Sequence, residues 1–266
     1  MTITAGNTFY EIGAPPVTGV GVSWSPADLD AALIGGVADV VFDTDGKADA
    51  SKLLMGLADT EFDQNAVRRL LETKTAPEEW RIGEALAEAY LTHQRQCEFP
   101  WPDSRDERKA GSSLPGADLV GFHGDGGSDR FAFGEVKTST EAKYPPGAMH
   151  GRMGLKQQLE DLRDNQSIRD QLVKYLCRRA SLNPPWRAKY ERACKRYLTD
   201  STDVRVFGVM VRDVPPHEDD LRVRVTKLAE GCPVSMQMEL IAIYLPPASI
   251  AELPTKVAQT QKGGAA

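Results

Sequence analysis

Two short apolar segments joined by a glycine-rich turn constrain the fold of this chain more than any other feature of its sequence. Residues 114–123 and 130–137 both have the residue pattern of β-strands, and residues 124–128 have the composition of a tight turn. Strands that are connected so closely pair as an antiparallel hairpin. The sequence therefore predicts a sheet that contains this hairpin.

Three ionisable residues of this hairpin are placed where their side chains can meet. Glu135 and Lys137 are two residues apart, so both side chains leave the second strand on the same face, and Asp118 lies on the first strand beside them. Two carboxylates can hold a hard divalent cation, which activates water for phosphodiester hydrolysis. We expect Mg²⁺, or Mn²⁺, bound by Asp118, Glu135 and the carbonyl of Val136, with Lys137 assisting the attacking water.

The order of these residues resembles the bipartite motif of the PD-(D/E)XK, or restriction-endonuclease-like, nucleases. The sequence Pro-Gly-Ala-Asp118 matches the first half of that motif, and Gly-Glu135-Val-Lys137 matches the second half. The resemblance covers roughly residues 77–210. It implies an α/β fold with a mixed β-sheet flanked by helices, and metal-dependent cleavage of DNA, with RNA as the alternative substrate.

Further site residues follow from the same resemblance. The family places a glutamate on the helix before the hairpin, and here the predicted helix at 77–94 carries Glu84, with Glu88 as the alternative. Glu84 would thus be catalytic and a third acidic metal ligand beside Asp118 and Glu135. Many members also place a glutamine on the helix after the lysine strand. Gln157 and Gln158 both match that position, and the sequence does not decide between them.

Charge is distributed unevenly along a chain whose net charge is −6. Residues 1–72 hold four Lys/Arg against eleven Asp/Glu, whereas residues 152–197 hold twelve against five. A basic surface of this kind suits phosphate contacts, for which we single out Arg152, Lys156, Arg187 and Lys195. Aromatic residues interleave with the basic ones at 186–197, which fits nucleic-acid contact and an ordinary helix with core aromatics equally well.

The domain prediction divides the chain into three parts. Residues 1–74 form an N-terminal appendage, 75–253 the nuclease core and 254–266 a flexible tail. The arrangement also resembles nuclease subunits of bacterial anti-phage systems, such as the HamA proteins of the Hachiman type, which work beside a helicase. That resemblance implies a defence role and a helicase or other protein partner, which the acidic N-terminal region would bind.

Other features of the sequence bear on the location of the protein, on alternative sites and on alternative functions. No apolar run is long enough for a membrane helix, and four cysteines without a CxxC pair favour a reducing cytoplasm. The segment 43–49 lacks the spacing of a calcium loop and predicts an Asp/Gly turn. The literal Pro-Asp and Glu-x-Lys strings at 102–109 are too close together to lie on separate strands. The alternative functions are a non-catalytic binding subunit that retains the fold and a structure-specific repair nuclease or resolvase.

Overall fold

One mixed β-sheet organises the molecule. The computed structural model describes residues 3–71, 77–102, 105, 116–124 and 127–263, and within these ranges seven strands form a single sheet in the order β1-β2-β7-β6-β5-β4-β3. The neighbours β2, β7, β6 and β5 run parallel, whereas β1 and the pair β4 and β3 are antiparallel to their neighbours. The strands are β1 (Asn7–Ala14), β2 (Val17–Ser23), β3 (Cys97–Glu98), β4 (Leu119–His123), β5 (Arg130–Ser139), β6 (Arg205–Arg212) and β7 (Gln237–Tyr244).

Helices cover both faces of the sheet, which confirms the predicted α/β class. One face carries α1 (Pro26–Ala32), which continues through a π-helical segment into α2 (Ala38–Val41), together with α5 (Glu79–Gln94) and α10 (Leu253–Gly263). The other face carries α6 (Leu155–Asp164), α7 (Gln166–Ala180), α8 (Arg187–Thr199) and α9 (Arg222–Ala229). The helices α3 (Thr44–Met55) and α4 (Glu61–Leu71) pack against each other, and neither has a buried residue.

Alternation along the central strands separates two cores. On β5, Phe131 and Phe133 are buried under α6 to α9, whereas Ala132 and Val136 are buried under α5. Because side chains alternate along a strand, Glu135 and Lys137 belong to the face that α6 to α9 cover. The two cores therefore lie on opposite faces of β5, the strand that carries the predicted motif.

The N-terminal segment is part of this sheet, which corrects the prediction of a separate appendage at 1–74. Strand β2 lies between β1 and β7, with Val20 paired to Ile241, and its residues Val17 and Val22 are buried in opposite cores. Removing the segment would expose the edge of β7 and would take both of these side chains out of the two cores. Within it, the Ser25 hydroxyl accepts a hydrogen bond from the Asp28 amide and caps α1.

Two shorter predictions are also corrected. Asp43 does not open an isolated turn, because its carboxylate accepts a hydrogen bond from the Gly46 amide at 3.2 Å and caps α3. The predicted flexible tail begins with α10 instead, in which Val257 is fully buried against α5 and the segment after α1. Asp103, Glu107 and Lys109 of the alternative motif lie outside the described residues.

A buried ion pair fixes the chain where it leaves β5. The guanidinium of Arg212, at the end of β6, lies 3.2 Å from the Asp220 carboxylate, and both side chains are fully buried. The same guanidinium donates to the carbonyl of Glu141 at 2.5 Å, and the Tyr244 hydroxyl donates to Asp220 at 2.9 Å. Strand ends of β6 and β7 are thereby tied to the segment that follows β5.

Candidate active site

The hairpin of β4 and β5 brings Asp118 to Glu135. Leu119 pairs with Gly134, so the antiparallel register puts the preceding Asp118 opposite Glu135. Asp118 lies just before β4 begins, and its Oδ2 accepts a hydrogen bond from the backbone N–H of Val136 at 2.8 Å. This carboxylate therefore supplies the acceptor that a longer β4 would have provided from its backbone.

Lys137 completes a group of three charges. Its Nζ lies 3.7 Å from Oε2 of Glu135 and 3.9 Å from Oδ2 of Asp118. The Glu135 side chain is 1% exposed, whereas those of Lys137 and Asp118 are 21% and 15% exposed. The predicted convergence of two acids and one ammonium group is thus present, with one acid enclosed and its two neighbours reachable from solvent.

The surroundings of the Glu135 carboxyl group disfavour its charged form. Burial raises its pKa well above the usual range, the negative charge of Asp118 raises it further, and the charge of Lys137 acts in the opposite direction. Among the described residues, no donor lies within hydrogen-bond distance of the buried Oε2 of Glu135. A buried carboxylate oxygen without a donor is energetically costly unless another cation comes to it.

These residues fit a divalent cation. The N–H of Val136 points towards Asp118, and the carbonyl of the same residue lies on that edge of β5, because both groups of a strand residue face the same neighbour. Asp118, Glu135 and this carbonyl therefore offer three oxygen ligands, and Mg²⁺ takes its remaining ligands from water. In the part of the chain that the structure describes, no three His, Cys, Asp or Glu side chains are grouped as a metal site.

Glu84 is therefore not brought into a third acidic position beside Asp118 and Glu135. Its helix α5 packs on the face of the sheet opposite to Glu135, and Arg81 lies 3.3 Å from its carboxylate. Glu84 does share a small cavity of about 20 Å³ with Asp118, and its alternative Glu88 lines the same cavity. This volume holds about one water molecule. Arg81 also lines this cavity and was not predicted from the sequence. Its position three residues before Glu84, the spacing of a helical ion pair, is the feature that could have identified it.

Helix α5 approaches β5 closely enough to fix where Glu84 lies. A Cβ atom on Gly83 would come within 1.9 Å of the Thr138 Oγ1 and 3.3 Å of its Cβ. Glycine is therefore needed at this position for the helix to lie against the strand. The next residue, Glu84, is held at the rim of the cavity by this contact.

The structure distinguishes the two candidate glutamines. Gln157 donates its amide N–H to Asp161 on the same helix at 2.9 Å. The Oε1 of Gln158 is buried and, among the described residues, has no hydrogen-bond partner. The next residue, Leu159, packs over Gly208, which pairs with Glu135. Gln158 is therefore the glutamine whose polar group turns inward on the helix that covers the site.

The predicted basic residues are spread over two helices and a loop. Arg152 and Lys195 are exposed, Lys156 lies 3.7 Å from Glu160, and Arg187 lies 2.8 Å from Glu191. The aromatic residues interleaved with them belong to the core, since Tyr190 and Tyr197 are buried beside Phe131. This outcome favours the interpretation of α8 as a core helix with a basic outer face.

An acidic cleft adjoins the small cavity on the side of α2 and α3. It has a volume of about 330 Å³, and Arg105 reaches across one end of it to donate two hydrogen bonds to Asp43, at 2.8 and 2.6 Å. Its acidic lining residues are Asp39, Asp43, Asp45, Glu88 and Glu98. The cleft therefore carries negative charge, in contrast to the basic outer face of α8.

Among the described residues, no helix has the length and apolar character needed to cross a membrane. No model of a known protein family matches the chain, and no curated protein matches it significantly.

Proposed function

We propose that this chain is a metal-dependent nuclease whose centre is Asp118, Glu135 and Lys137. The observation that carries the proposal is the enclosed Glu135, which lies opposite Asp118 across the hairpin and whose Oε2 has, among the described residues, the 3.7 Å ion pair with Lys137 but no hydrogen bond. A structural carboxylate buried this deeply would accept full hydrogen bonds, whereas a cation-binding carboxylate needs an oxygen that can turn to the metal. DNA is the proposed substrate, with RNA as the alternative. The proposed biological role is anti-phage defence beside a helicase or other protein partner.

Each residue has a distinct part in this chemistry. A divalent cation bound at this position would supply a water of lowered pKa and would neutralise charge on the phosphate. Asp118 and Glu135 would hold this cation, and Asp118 is itself held in place by the Val136 N–H. The ammonium group of Lys137, within 4 Å of both acids, orients the attacking water and stabilises the negative charge that develops on the phosphate.

A non-catalytic binding subunit is the second candidate. It is favoured by the absence of a third acidic ligand among the described residues, since Glu84 packs on the other side of the sheet. Such a subunit would bind nucleic acid through its basic face without cleaving it.

The deciding experiment measures cleavage and metal binding separately. The full chain is incubated with supercoiled, linear, nicked and branched DNA and with RNA, in Mg²⁺, Mn²⁺ or EDTA. We expect metal-dependent cleavage that falls roughly hundredfold or more in Glu135→Gln and Lys137→Ala. Lys256→Ala, on the opposite layer, is the matched lysine control and keeps full activity. Calorimetric titration with Mn²⁺ should show binding to the wild type and to Lys137→Ala but not to Glu135→Gln.

The outcomes separate the two candidates. Nucleic-acid binding without cleavage of any substrate, in the presence or absence of a co-purified protein partner, would leave the binding subunit as the function. Cleavage that survives both substitutions would place the active site elsewhere. Preference for branched over linear DNA would identify a resolvase or repair nuclease.

A further inference from the structure

A cleft between α6 and α9 is lined by basic side chains from both helices. Its volume is about 360 Å³, which is at the lower end of the range for small-molecule sites. The basic lining residues are Lys156, Arg163, Arg224 and Lys227, and the acidic ones are Glu160 and Glu230. Four positive and two negative charges leave this lining with a net charge of +2, in a chain whose net charge is −6.

Arg163 ties the two walls of this cleft together. Its guanidinium makes two hydrogen bonds of 2.7 Å to the carboxylate of Asp164, at the end of its own helix α6. The same guanidinium donates to the carbonyl of Leu228 at 3.0 Å and to that of Glu230 at 3.3 Å. These carbonyls lie at the C-terminal end of α9, where a positive charge is favourable to the helix dipole. The cleft is therefore a built feature of the fold.

Among the described residues, Arg224 is the basic residue of the cleft without an ionic partner. Lys156 lies 3.7 Å from Glu160, and Lys227 lies 2.9 Å from Glu230. In the same part of the chain, the buried Nε of Arg224 has no hydrogen-bond acceptor, and no carboxylate pairs with its guanidinium. A partly buried guanidinium without an anion is energetically costly. The cleft therefore favours an anionic ligand.

We propose that this cleft binds a phosphate group, with Arg224 as the main ligand residue. A guanidinium presents paired N–H donors that match phosphate oxygens. Lys156 and Lys227 are 39% and 57% exposed, and exposed ion pairs are weak, so both ammonium groups can turn to the same anion. Cations on both walls suit a tetrahedral anion better than a planar carboxylate. Both a nucleic-acid backbone and a free nucleotide offer this group.

The proposed phosphate site is separate from the centre formed by Asp118, Glu135 and Lys137. Helix α9 packs against β1 and β2, at the opposite edge of the sheet from β4 and β3. Helix α6 packs against β5 and β6 and lies between the two sites. Phosphate binding in the cleft therefore requires neither a metal ion nor cleavage, and a protein without nuclease activity would leave the proposal intact.

Titrations of the full chain in EDTA test the site with inorganic phosphate, adenosine monophosphate and a short DNA duplex. Calorimetry follows the first two and fluorescence anisotropy the third, at constant ionic strength. Arg224→Gln should weaken binding roughly tenfold. Arg222→Gln is the matched control, because Arg222 lies on the same helix outside the cleft and is 55% exposed beside Glu218, so binding should stay unchanged. For the duplex, Arg224→Gln should also lower the salt dependence by about one phosphate contact.

Glu160→Gln tests the site in the opposite direction. It frees Lys156 from its ion pair and makes the cleft more positive, so the same probe should bind severalfold more tightly. Loss of a merely structural residue would not tighten binding, and far-ultraviolet circular dichroism confirms that each variant is folded. Binding of phosphate and the nucleotide without the duplex would identify a free phosphorylated ligand, and binding of the duplex alone would identify nucleic acid.

Three results would each overturn the proposal. The first is that none of the three probes binds the wild type. The second is that Arg224→Gln and Arg222→Gln lose affinity equally, because general surface charge would then explain binding. The third is that Glu160→Gln binds no more tightly than the wild type.

Discussion

The close contact between α5 and β5 leads to a prediction with a calculable size. Gly83→Ala gains about 1 kcal/mol of helix propensity. Its new Cβ would lie 1.9 Å from the Thr138 Oγ1, and overpacking of this kind costs about 1–3 kcal/mol. Because a β-branched side chain has restricted rotamers, Thr138 cannot turn away freely. We therefore expect a net loss of about 1 kcal/mol of unfolding free energy for Gly83→Ala.

Thr138→Ala should restore the fit. Its Oγ1 has no hydrogen-bond partner among the described residues, so the substitution alone costs about 1 kcal/mol, mainly for the lost methyl group. In the double variant the clash is gone and a Cβ–Cβ distance of 3.3 Å remains, which needs a shift of a few tenths of an ångström. The double variant should have near wild-type stability, which corresponds to a coupling of about 2 kcal/mol between the two sites.

Urea denaturation followed by circular dichroism measures all four proteins of this cycle, with comparable slopes expected throughout. Gly36→Ala is the matched control, because its new Cβ would have no neighbour closer than 3.5 Å. Additivity of the two single changes to within about 0.5 kcal/mol would refute the reasoning. The helix would then not be held at Gly83, and the placement of Glu84 would need another explanation.

Three further predictions concern buried groups. Because burial raises the pKa of Glu135, the metal-free folded protein keeps a proton that the unfolded chain releases, so its unfolding free energy should fall as pH rises above about 4.5. Glu135→Gln should flatten that pH dependence in urea titrations with EDTA, and parallel curves for the two proteins would contradict this cause. Asp220→Ala leaves the buried guanidinium of Arg212 without its carboxylate and should lower the free energy of unfolding by about 3–5 kcal/mol. Thermal unfolding measures this loss, and an unchanged melting temperature would argue against the ion pair. Val257→Ala should lower the free energy of unfolding in urea by about 2 kcal/mol, whereas Val234→Ala, at an exposed site, should leave it almost unchanged. Equal effects of the two substitutions would mean that α10 does not pack as described.

The parts of the fold that depend on neighbouring residues could be predicted from sequence. The hairpin of β4 and β5 joins residues separated by a short turn, and alternation then puts Glu135 and Lys137 on one face. Its pairing is confirmed, as are the short distances among Asp118, Glu135 and Lys137. The catalytic and metal-binding roles of these residues stay predictions.

The parts that depend on distant residues could not be predicted. In β2 the glycines at positions 19 and 21 interrupt the apolar pattern, and the partner of Val20 is Ile241, more than two hundred residues away. The C-terminal helix has few apolar residues, and only packing shows that Val257 is buried. The layer on which Glu84 lies depends on which face of the sheet α5 covers, and a single sequence does not contain that information.

The strand β5 has unlike partners on its two sides, and this difference has a consequence for folding. Leu119 and Gly134 pair across a short loop, whereas Ala132 pairs with Arg205 only after three helices have intervened. Short loops close quickly and at low entropic cost, and long-range parallel pairing is slow. Asp118 and Glu135 are therefore expected to meet early, while water still screens their repulsion. The later docking of α6 to α8 would then remove that water, so the cost of placing the two acids side by side arises only in the final stage of folding.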